Sequence, residues 1–245
     1  MRLQYHQLTS VGDRETNQDY MVHDVNDSFA LFVVADGLGG HHAGEKASKY
    51  FCEGLLGLSS LYSPDMVENP EKTMASWIDA AIDQMSDFFV DEKYAIDAHT
   101  TCAILYLQKD LLVVAHCGDS RVYRLTEEQL LWRTKDHSVT QNLLEEGVVT
   151  EHQMGVHPDQ NILMRSINIL KTHQPEINVY PLAEKGETFI LCSDGFWEFT
   201  KTNEFQRLAM SDVEKKDLKK QAQLAVLRAS GRSDNVTVQW VRVLE

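Results

Sequence analysis

The chain has 245 residues, of which 43% are hydrophobic and 24% charged, a composition typical of a globular protein. Acidic residues outnumber Lys and Arg by 37 to 23, for a net charge of -14, so a basic nucleic-acid-binding face is not expected. The longest apolar run, residues 29–35, is far too short to span a membrane. The N-terminal sequence also has no apolar core of signal-peptide length.

Short apolar segments predict strands along a chain without linkers or repeats, which we interpret as one domain over residues 1–245. The breaks QKD and GD between three of these segments are short enough to join antiparallel neighbours. Residues 100–125 are therefore predicted to form a meander. The predicted strands are 29–35, 100–107, 111–117, 120–125, 188–193 and 235–243.

Helices are predicted between these strands, at 43–58, from 70 onward and at 218–229. Asn69 is a candidate N-cap, and Pro70 follows it at the first helical position. A Met/Trp/Phe stripe from Met74 to Phe88 recurs at helical spacing, as expected for core packing. Antiparallel strands that are apolar on both faces need cover on both sides, so the residues indicate a β-sandwich flanked by helices.

The region 138–170 has a different character. It contains two candidate capping boxes, Ser138 with Gln141 and Thr150 with Gln153, and then loses its periodicity. We predict short helices and a loop that covers a site.

The cysteines show no metal or disulfide spacing. No CxxC pair occurs, and three of the four lie inside apolar runs. We interpret them as small buried residues in a reducing compartment, and we predict a cytoplasmic location. They are Cys52, Cys102, Cys117 and Cys192.

Four aspartates stand at the ends of predicted strands: Asp36, Asp119, Asp194 and Asp234. Each one alone is an ordinary turn residue. Together, at one end of a sandwich, their carboxylates would converge and repel unless a divalent cation joined them. All-oxygen ligands suit Mg, Mn or Ca, and glycines at 37 and 195 would let a backbone carbonyl approach such an ion.

The segment GDRETNQDY (12–20) adds Arg14 and Asp19. A guanidinium group binds phosphate oxygens in bidentate fashion. The alternative for Arg14 is a surface salt bridge.

Other classes of protein fit these residues less well. The glycines after Asp36 match neither the phosphate-binding loop, because Glu45 stands where Lys is needed, nor the dinucleotide pattern, because His42 replaces the third glycine. A serine hydrolase with Ser120 as nucleophile lacks a late Asp-x-x-His pair and has only His137 as a loose candidate base. A calcium-stabilised or phosphopeptide-binding module remains an alternative; it would bind metal without turnover.

Eight short blocks occur in one order across nearly the whole chain. They are RETNQD (14–19), VVADGLGGHHAGEKAS (33–48), TTCAILYL (100–107), VAHCGDSRVYRL (114–125), TKDHSV (134–139), HPDQNILMRSI (157–167), LCSDGFWE (191–198) and SDNVTVQWV (233–241). In this order they resemble the metal-dependent, type 2C Ser/Thr protein phosphatases in their compact bacterial form. The resemblance implies an α+β fold: a four-layer α-β-β-α sandwich, with two antiparallel β-sheets flanked by helices.

The resemblance also implies a site with two inner Mg or Mn ions and a weaker third. Asp36 would bridge the inner ions and the Gly37 carbonyl would bind one of them, while Asp194 and Asp234 would bind the other and Asp119 the third ion. Arg14 would hold the phosphate and Asp19 would orient the attacking water. Residues 139–170 would form a flap that shapes substrate access.

Two positions depart from the family pattern. Many eukaryotic members carry a histidine where Leu38 stands, and the bacterial pattern often has His41 as a possible proton donor instead. Gln18 replaces a glutamate often found before Asp19, which removes one carboxylate from the site.

The partners implied are phosphorylated proteins, namely Ser/Thr kinases and their substrates, and the expected oligomeric state is a monomer. Related phosphatases that act on anti-sigma antagonists are the alternative, but they usually lack the GDSR block found at 118–121.

Overall fold

Two antiparallel sheets face each other, with helices on both outer surfaces, in a computed structural model that describes residues 2–39, 43–89, 97–170 and 175–245. Within those ranges the strands are β1 (Leu3–Ser10), β2 (Asp19–Val25), β3 (Phe29–Leu38), β4 (His99–Thr100), β5 (Cys102–Gln108), β6 (Leu111–Cys117), β7 (Arg121–Leu125), β8 (Leu130–Arg133), β9 (Ile167–Asn168), β10 (Glu176–Tyr180), β11 (Thr188–Cys192) and β12 (Val236–Val243). The helices are α1 (Ala43–Gly57), α2 (Ser59–Tyr62), α3 (Pro70–Phe88), α4 (Val139–Glu145), α5 (Glu151–Met154), α6 (Asp194–Trp197), α7 (Thr202–Leu208) and α8 (Lys215–Arg228), with a 3-10 turn at Ser63–Val67.

The strand order explains which chain ends meet. The first sheet runs β1-β12-β11-β7-β8, and the second runs β10-β6-β5-β3-β4-β9 with β2 beside β3. Every pairing between these strands is antiparallel. The long apolar strands β3 and β12 therefore lie inside their sheets, where each is paired on both sides.

Three apolar cores separate four layers. Phe32, Leu105 and Val241 belong to the core between the two sheets. Trp77 joins α1 and α3 to the outer face of the second sheet, and Trp240 joins the helices α6–α8 to the outer face of the first. The predicted four-layer sandwich is confirmed. The core role of the α3 stripe is confirmed from Met74 to Met85 but is wrong for Phe88, which is 57% exposed.

The predicted meander is wrong at its third strand. Strands β5 and β6 pair as expected, but β7 lies in the other sheet, between β11 and β8. Gly118 has φ +93°, a conformation that side-chain-bearing residues rarely adopt, and the chain crosses there from one sheet to the other. The crossing leaves Asp119 at the open end of the sandwich.

The helix starts agree only partly with the predicted caps. Pro70 begins α3, but the Asn69 side chain makes no capping bond. Ser138 accepts from the Gln141 backbone and caps α4, whereas the Gln141 side chain accepts from the Asp136 backbone instead of returning to Ser138. The second box holds: the Thr150 N–H donates to the Gln153 side chain at the start of α5.

All four cysteines are free and buried, as predicted. In the part of the chain that is described, no helix combines the length and the apolar character needed to cross a membrane.

Candidate metal centre

Asp19 and Asp36 are brought together by the β2–β3 ladder, in which they are directly paired. Both are nearly buried, with 5% and 9% of their surface exposed. The backbone of Asp36 is held on both sides: its N–H donates to Thr101 Oγ1 at 2.9 Å, and its carbonyl accepts from Thr100 Oγ1 at 2.9 Å. Thr101, which interrupts the predicted strand 100–107, thus helps to fix the position of Asp36.

Asp194 and Asp234 come from the neighbouring strands β11 and β12 of the first sheet. Asp194 opens α6 directly after β11, and Asp234 stands two residues before β12. The N–H of Gly195 donates to Asp194 Oδ1 at 2.6 Å, and the N–H of Asn235 donates to Asp234 Oδ1 at 2.8 Å. A Cβ at Gly195 would lie 2.2 Å from the Asn235 carbonyl oxygen, so only glycine allows the two turns to approach this closely.

A hydrogen bond joins the two sheets at this point. Ser193, the residue before Asp194, donates through Oγ to Asp19 Oδ2 at 2.7 Å. The other carboxylate oxygen of Asp19, Oδ1, is buried and has no hydrogen-bond partner in the structure. A buried carboxylate oxygen without a partner is costly, and it indicates that this oxygen faces a ligand position.

Asp119 lies on the crossing between β6 and β7 and is only 7% exposed. Its carbonyl accepts from the Trp197 indole N–H at 2.9 Å. That bond ties the crossing to α6, the helix that Asp194 begins.

The pKa shifts show that these carboxylates lie close enough to affect one another. Burial, together with Asp19, Asp194, Asp119 and Asp234, raises the pKa of Asp36 well above its ordinary value. Burial is also the main reason that the pKa of Asp19 rises to about 7 and that of Asp194 to about 6. The pKa of Asp119 is raised as well, by burial and by Asp194.

This donor set fits a divalent cation. A cation among the carboxylates would replace their mutual repulsion with attraction, and its ligands would all be oxygens, as Mg and Mn prefer. Gly37, next to Asp36, is equally constrained: a Cβ there would lie 2.0 Å from the Gly44 carbonyl oxygen. The structure therefore brings together Asp19, Asp36, Gly37, Asp119, Asp194 and Asp234, as the sequence predicts.

Arg14 stands at the exposed edge of the cluster. Its Nη2 lies 2.7 Å from Asp234 Oδ2, and the two side chains are 58% and 36% exposed. In this structure Arg14 thus forms the surface salt bridge that was the alternative to phosphate binding. Its partner, Asp234, is a candidate metal ligand. His41, the possible proton donor, lies outside the described residues.

Glu198 is a candidate site residue that the sequence analysis missed. Burial and the charges of Asp194, Asp119 and Asp234 raise its pKa to about 10. It follows Asp194 by four residues, a spacing that places two side chains on one helix face, so the LCSDGFWE block did carry a signal for it. Glu198 also lines a cavity of about 650 Å³, together with Trp197, Arg133 and Glu151.

The serine-hydrolase alternative fails on geometry. Ser120 is fully buried, and its hydroxyl is bonded to Thr101 Oγ1 at 2.7 Å. The ring of His137 accepts from the Gly118 N–H rather than from Ser120. Ser120 is therefore neither accessible nor paired with a base.

Comparison with known proteins identifies the family. The family model "Protein phosphatase 2C" matches residues 10–228. The chain belongs to the protein phosphatase 2C family. Protein phosphatase PhpP of Streptococcus pneumoniae is 31% identical over 241 residues, which cover 97% of this chain and 96% of PhpP.

Solved structures of phosphatases share this fold over their whole length. The serine/threonine phosphatase PstP/Ppp of Mycobacterium tuberculosis has a TM-score of 0.83 at 25% identity, covering 99% of both chains. A catalytic domain of the phosphatase PstP in complex with two manganese ions has a TM-score of 0.80 at 25% identity, again covering 99% of each. The predicted family and fold are both confirmed.

Proposed function

We propose that this protein is a metal-dependent phosphatase that hydrolyses phosphoserine and phosphothreonine in proteins by direct attack of water. The observation that carries the proposal is the set of aspartates that meet at one end of the sandwich. Burial and neighbouring carboxylates raise the pKa values of Asp19, Asp36, Asp119 and Asp194. Membership of the protein phosphatase 2C family supports the same reaction.

The position of each side chain supports the ligand roles that we propose. Asp36 is the residue whose pKa responds to all the other aspartates of the cluster, as suits a carboxylate between two inner ions, with the Gly37 carbonyl beside it. Asp194 and Asp234, from adjacent strands, would complete the inner pair. Asp119, on the sheet crossing, would serve a weaker third ion together with Asp194.

When bound, a pair of Mg or Mn ions lowers the pKa of a water and stabilises the transition state of in-line phosphoryl transfer. Asp19 Oδ1, which has no partner, would accept a hydrogen bond from the attacking water and orient it. Arg14 would exchange its exposed contact with Asp234 for phosphate oxygens, an exchange that costs little because exposed salt bridges contribute little to stability. Ser120 is buried and bonded to Thr101, so it does not act as the nucleophile, and direct attack of water requires no covalent phosphoenzyme.

We also propose which metal the protein uses and what its biological role is. The structure of PstP with two manganese ions supports Mn, and Mg has the same ligand preferences. The substrates we propose are Ser/Thr kinases and the proteins they phosphorylate, in the cytoplasm, with the protein acting as a monomer. Residues 1–245 would form one catalytic domain whose flap, 139–170, controls access.

The test is release of phosphate from an aryl phosphate with Mn or Mg present, and its loss on chelation. Undiminished activity in excess EDTA would reject the metal mechanism. Binding of Mn without any phosphate release would instead favour the phosphopeptide-binding module.

A further inference from the structure

His137 holds the chain crossing next to Asp119 through two hydrogen bonds to Gly118, one to its carbonyl and one to its N–H. The Gly118 carbonyl accepts from the His137 N–H at 2.8 Å, and the Gly118 N–H donates to His137 Nδ1 at 3.3 Å. Gly118 has φ +93°, and a Cβ there would lie 2.6 Å from Thr101 Cγ2. Since this position accepts only glycine, and glycine has the largest conformational freedom of any residue, the contacts with His137 restrain the backbone directly before Asp119.

His137 is itself anchored on every side. The guanidinium of Arg121 grips the preceding residue, Asp136, with bonds of 2.7 and 2.5 Å. The His137 carbonyl accepts from the Met164 N–H at 2.8 Å, and its ring stacks on His116 at 4.6 Å between centroids. These contacts hold His137 in place against Gly118, and one of them comes from Met164 of the flap.

The hydrogen bond from the Gly118 N–H determines which ring nitrogen of His137 carries the proton. Because Nδ1 accepts from a backbone N–H, a neutral His137 carries its proton on Nε2, which lies 3.7 Å from Glu176 Oε2. Burial lowers the pKa of His137 to about 4, so the ring is neutral near pH 7. Arg165 Nη1 lies 3.5 Å from Nε2, which is longer than the Gly118 contact and beyond the usual range for an N–H donor.

A His137 ring that is protonated on Nε2 is not compatible with a cation bound to that atom. Ligand atoms of His116, His137 and Glu176 lie within 4.8 Å of one another, a spacing that invites a zinc interpretation. A cation on Nε2 of His137 needs a lone pair there, and the Gly118 contact places a proton on that atom. The cluster is better explained as support for the crossing.

We infer that His137 is a positioning residue for Asp119: its hold on Gly118 sets the direction of the Asp119 carboxylate and thereby the affinity for the outer ion. The inference rests on the proposed function only in giving Asp119 that ion. The Trp197 bond to the Asp119 carbonyl holds the other side of the same residue, so without His137 the crossing would pivot about that bond.

Two substitutions separate the role of each ring nitrogen. In His137→Asn the side-chain oxygen takes the place of Nδ1 and still accepts from Gly118; in His137→Gln the polar group takes the place of Nε2. Ser138→Ala is the matched control, because it removes the cap of α4 and so lowers stability without touching Gly118. Two readouts are needed: the Mn concentration for half-maximal phosphate release, and the number of Mn ions bound at fixed free Mn, measured by calorimetry or spin resonance.

We expect His137→Gln to raise the half-maximal Mn concentration roughly three- to tenfold, the effect of losing one hydrogen bond, and to lower the number of bound ions by the outer one. His137→Asn should stay close to wild type, and Ser138→Ala should melt earlier with unchanged Mn dependence. Equal Mn curves for Gln, Asn and wild type would overturn the inference, as would a Ser138→Ala shift as large as that of His137→Gln.

A further variant guards against a His137 substitution that does not fold. Glu176→Leu, at a half-exposed position, removes the group that faces the Nε2 proton and should raise the Mn requirement in the same direction; no change would count against the inference. If the wild-type protein releases no phosphate at all, the proposed function fails, while the count of bound Mn still tests the role of His137.

Discussion

Asp19 and Asp36 lie directly opposite each other on β2 and β3, and both are nearly buried. Like charges in directly paired positions of an antiparallel sheet destabilise it. Burial and neighbouring carboxylates raise the pKa of both residues. Without a cation, this end of the sandwich is therefore under electrostatic strain that metal binding would relieve.

Asp36→Asn should separate stability from function. The amide removes one member of the repelling cluster, so we expect the free energy of unfolding in EDTA to rise, because burial and the neighbouring carboxylates disfavour the charged form of Asp36. Turnover should be nearly lost, and Mn should no longer raise the melting temperature. Thermal unfolding with and without Mn measures both effects; a variant that is less stable in EDTA and still stabilised by Mn would contradict this role.

The same repulsion predicts a pH dependence for the metal-free protein. The folded-state pKa values of Asp19 and Asp194, about 7 and about 6, lie above the ordinary value near 3.9. Between pH 4 and 7 the folded protein therefore holds more protons than the unfolded one at these sites, so their contribution to stability is present at low pH and is lost as pH rises. Urea unfolding in EDTA should show this loss for wild type and a smaller one for Asp19→Asn; equal slopes would reject the assignment.

Arg14→Ala should act on substrate binding rather than on the fold. Its contact with Asp234 is exposed, so the stability change should be below about 1 kcal/mol. If Arg14 holds the phosphate, KM should rise by about one to two orders of magnitude, at ~1.4 kcal/mol per factor of ten, with Mn binding retained. Arg207→Ala, which removes an exposed pair with Asp212, is the control. Kinetics of Arg14→Ala that match the control would leave Arg14 a surface salt bridge.

Asp119→Ala tests the outer ion directly. Asp119 contributes to the site from the sheet crossing, so the inner pair of ions should remain bound in calorimetry while turnover on phosphopeptides falls substantially. The Mn dependence of kcat should change as well. Superimposable Mn titrations for wild type and Asp119→Ala would show that Asp119 is only a turn residue.

The sequence predicts much of the candidate metal centre because its acidic residues stand at turns beside apolar strands. Asp36, Asp119, Asp194 and Asp234 each stand beside a strongly apolar strand, and the glycine or asparagine next to each of them marks a turn. The apolar strands themselves predict the sandwich. What remained hidden depends on contacts between distant segments.

Three features of the structure depend on contacts between distant segments and have no local sequence pattern. Strand β2 has mixed burial along its length and no clear apolar pattern, so the pairing of Asp19 with Asp36 was not foreseen. The crossing of β7 into the other sheet depends on Gly118 and on its contact with His137, 19 residues away. The raised pKa of Glu198 arises from burial and then from carboxylates on three different segments, which no pattern within one segment reveals.

We propose that the aspartate cluster holds the metal ions that catalyse hydrolysis of phosphoserine and phosphothreonine. The most direct measurement is phosphate release from a phosphothreonine peptide as Mn is added back to EDTA-treated protein, for wild type and Asp36→Asn side by side. We expect no release without metal, saturating release by wild type as Mn rises, and nearly none by Asp36→Asn at any Mn concentration. Release by wild type that persists in EDTA, or equal release by Asp36→Asn, would contradict it.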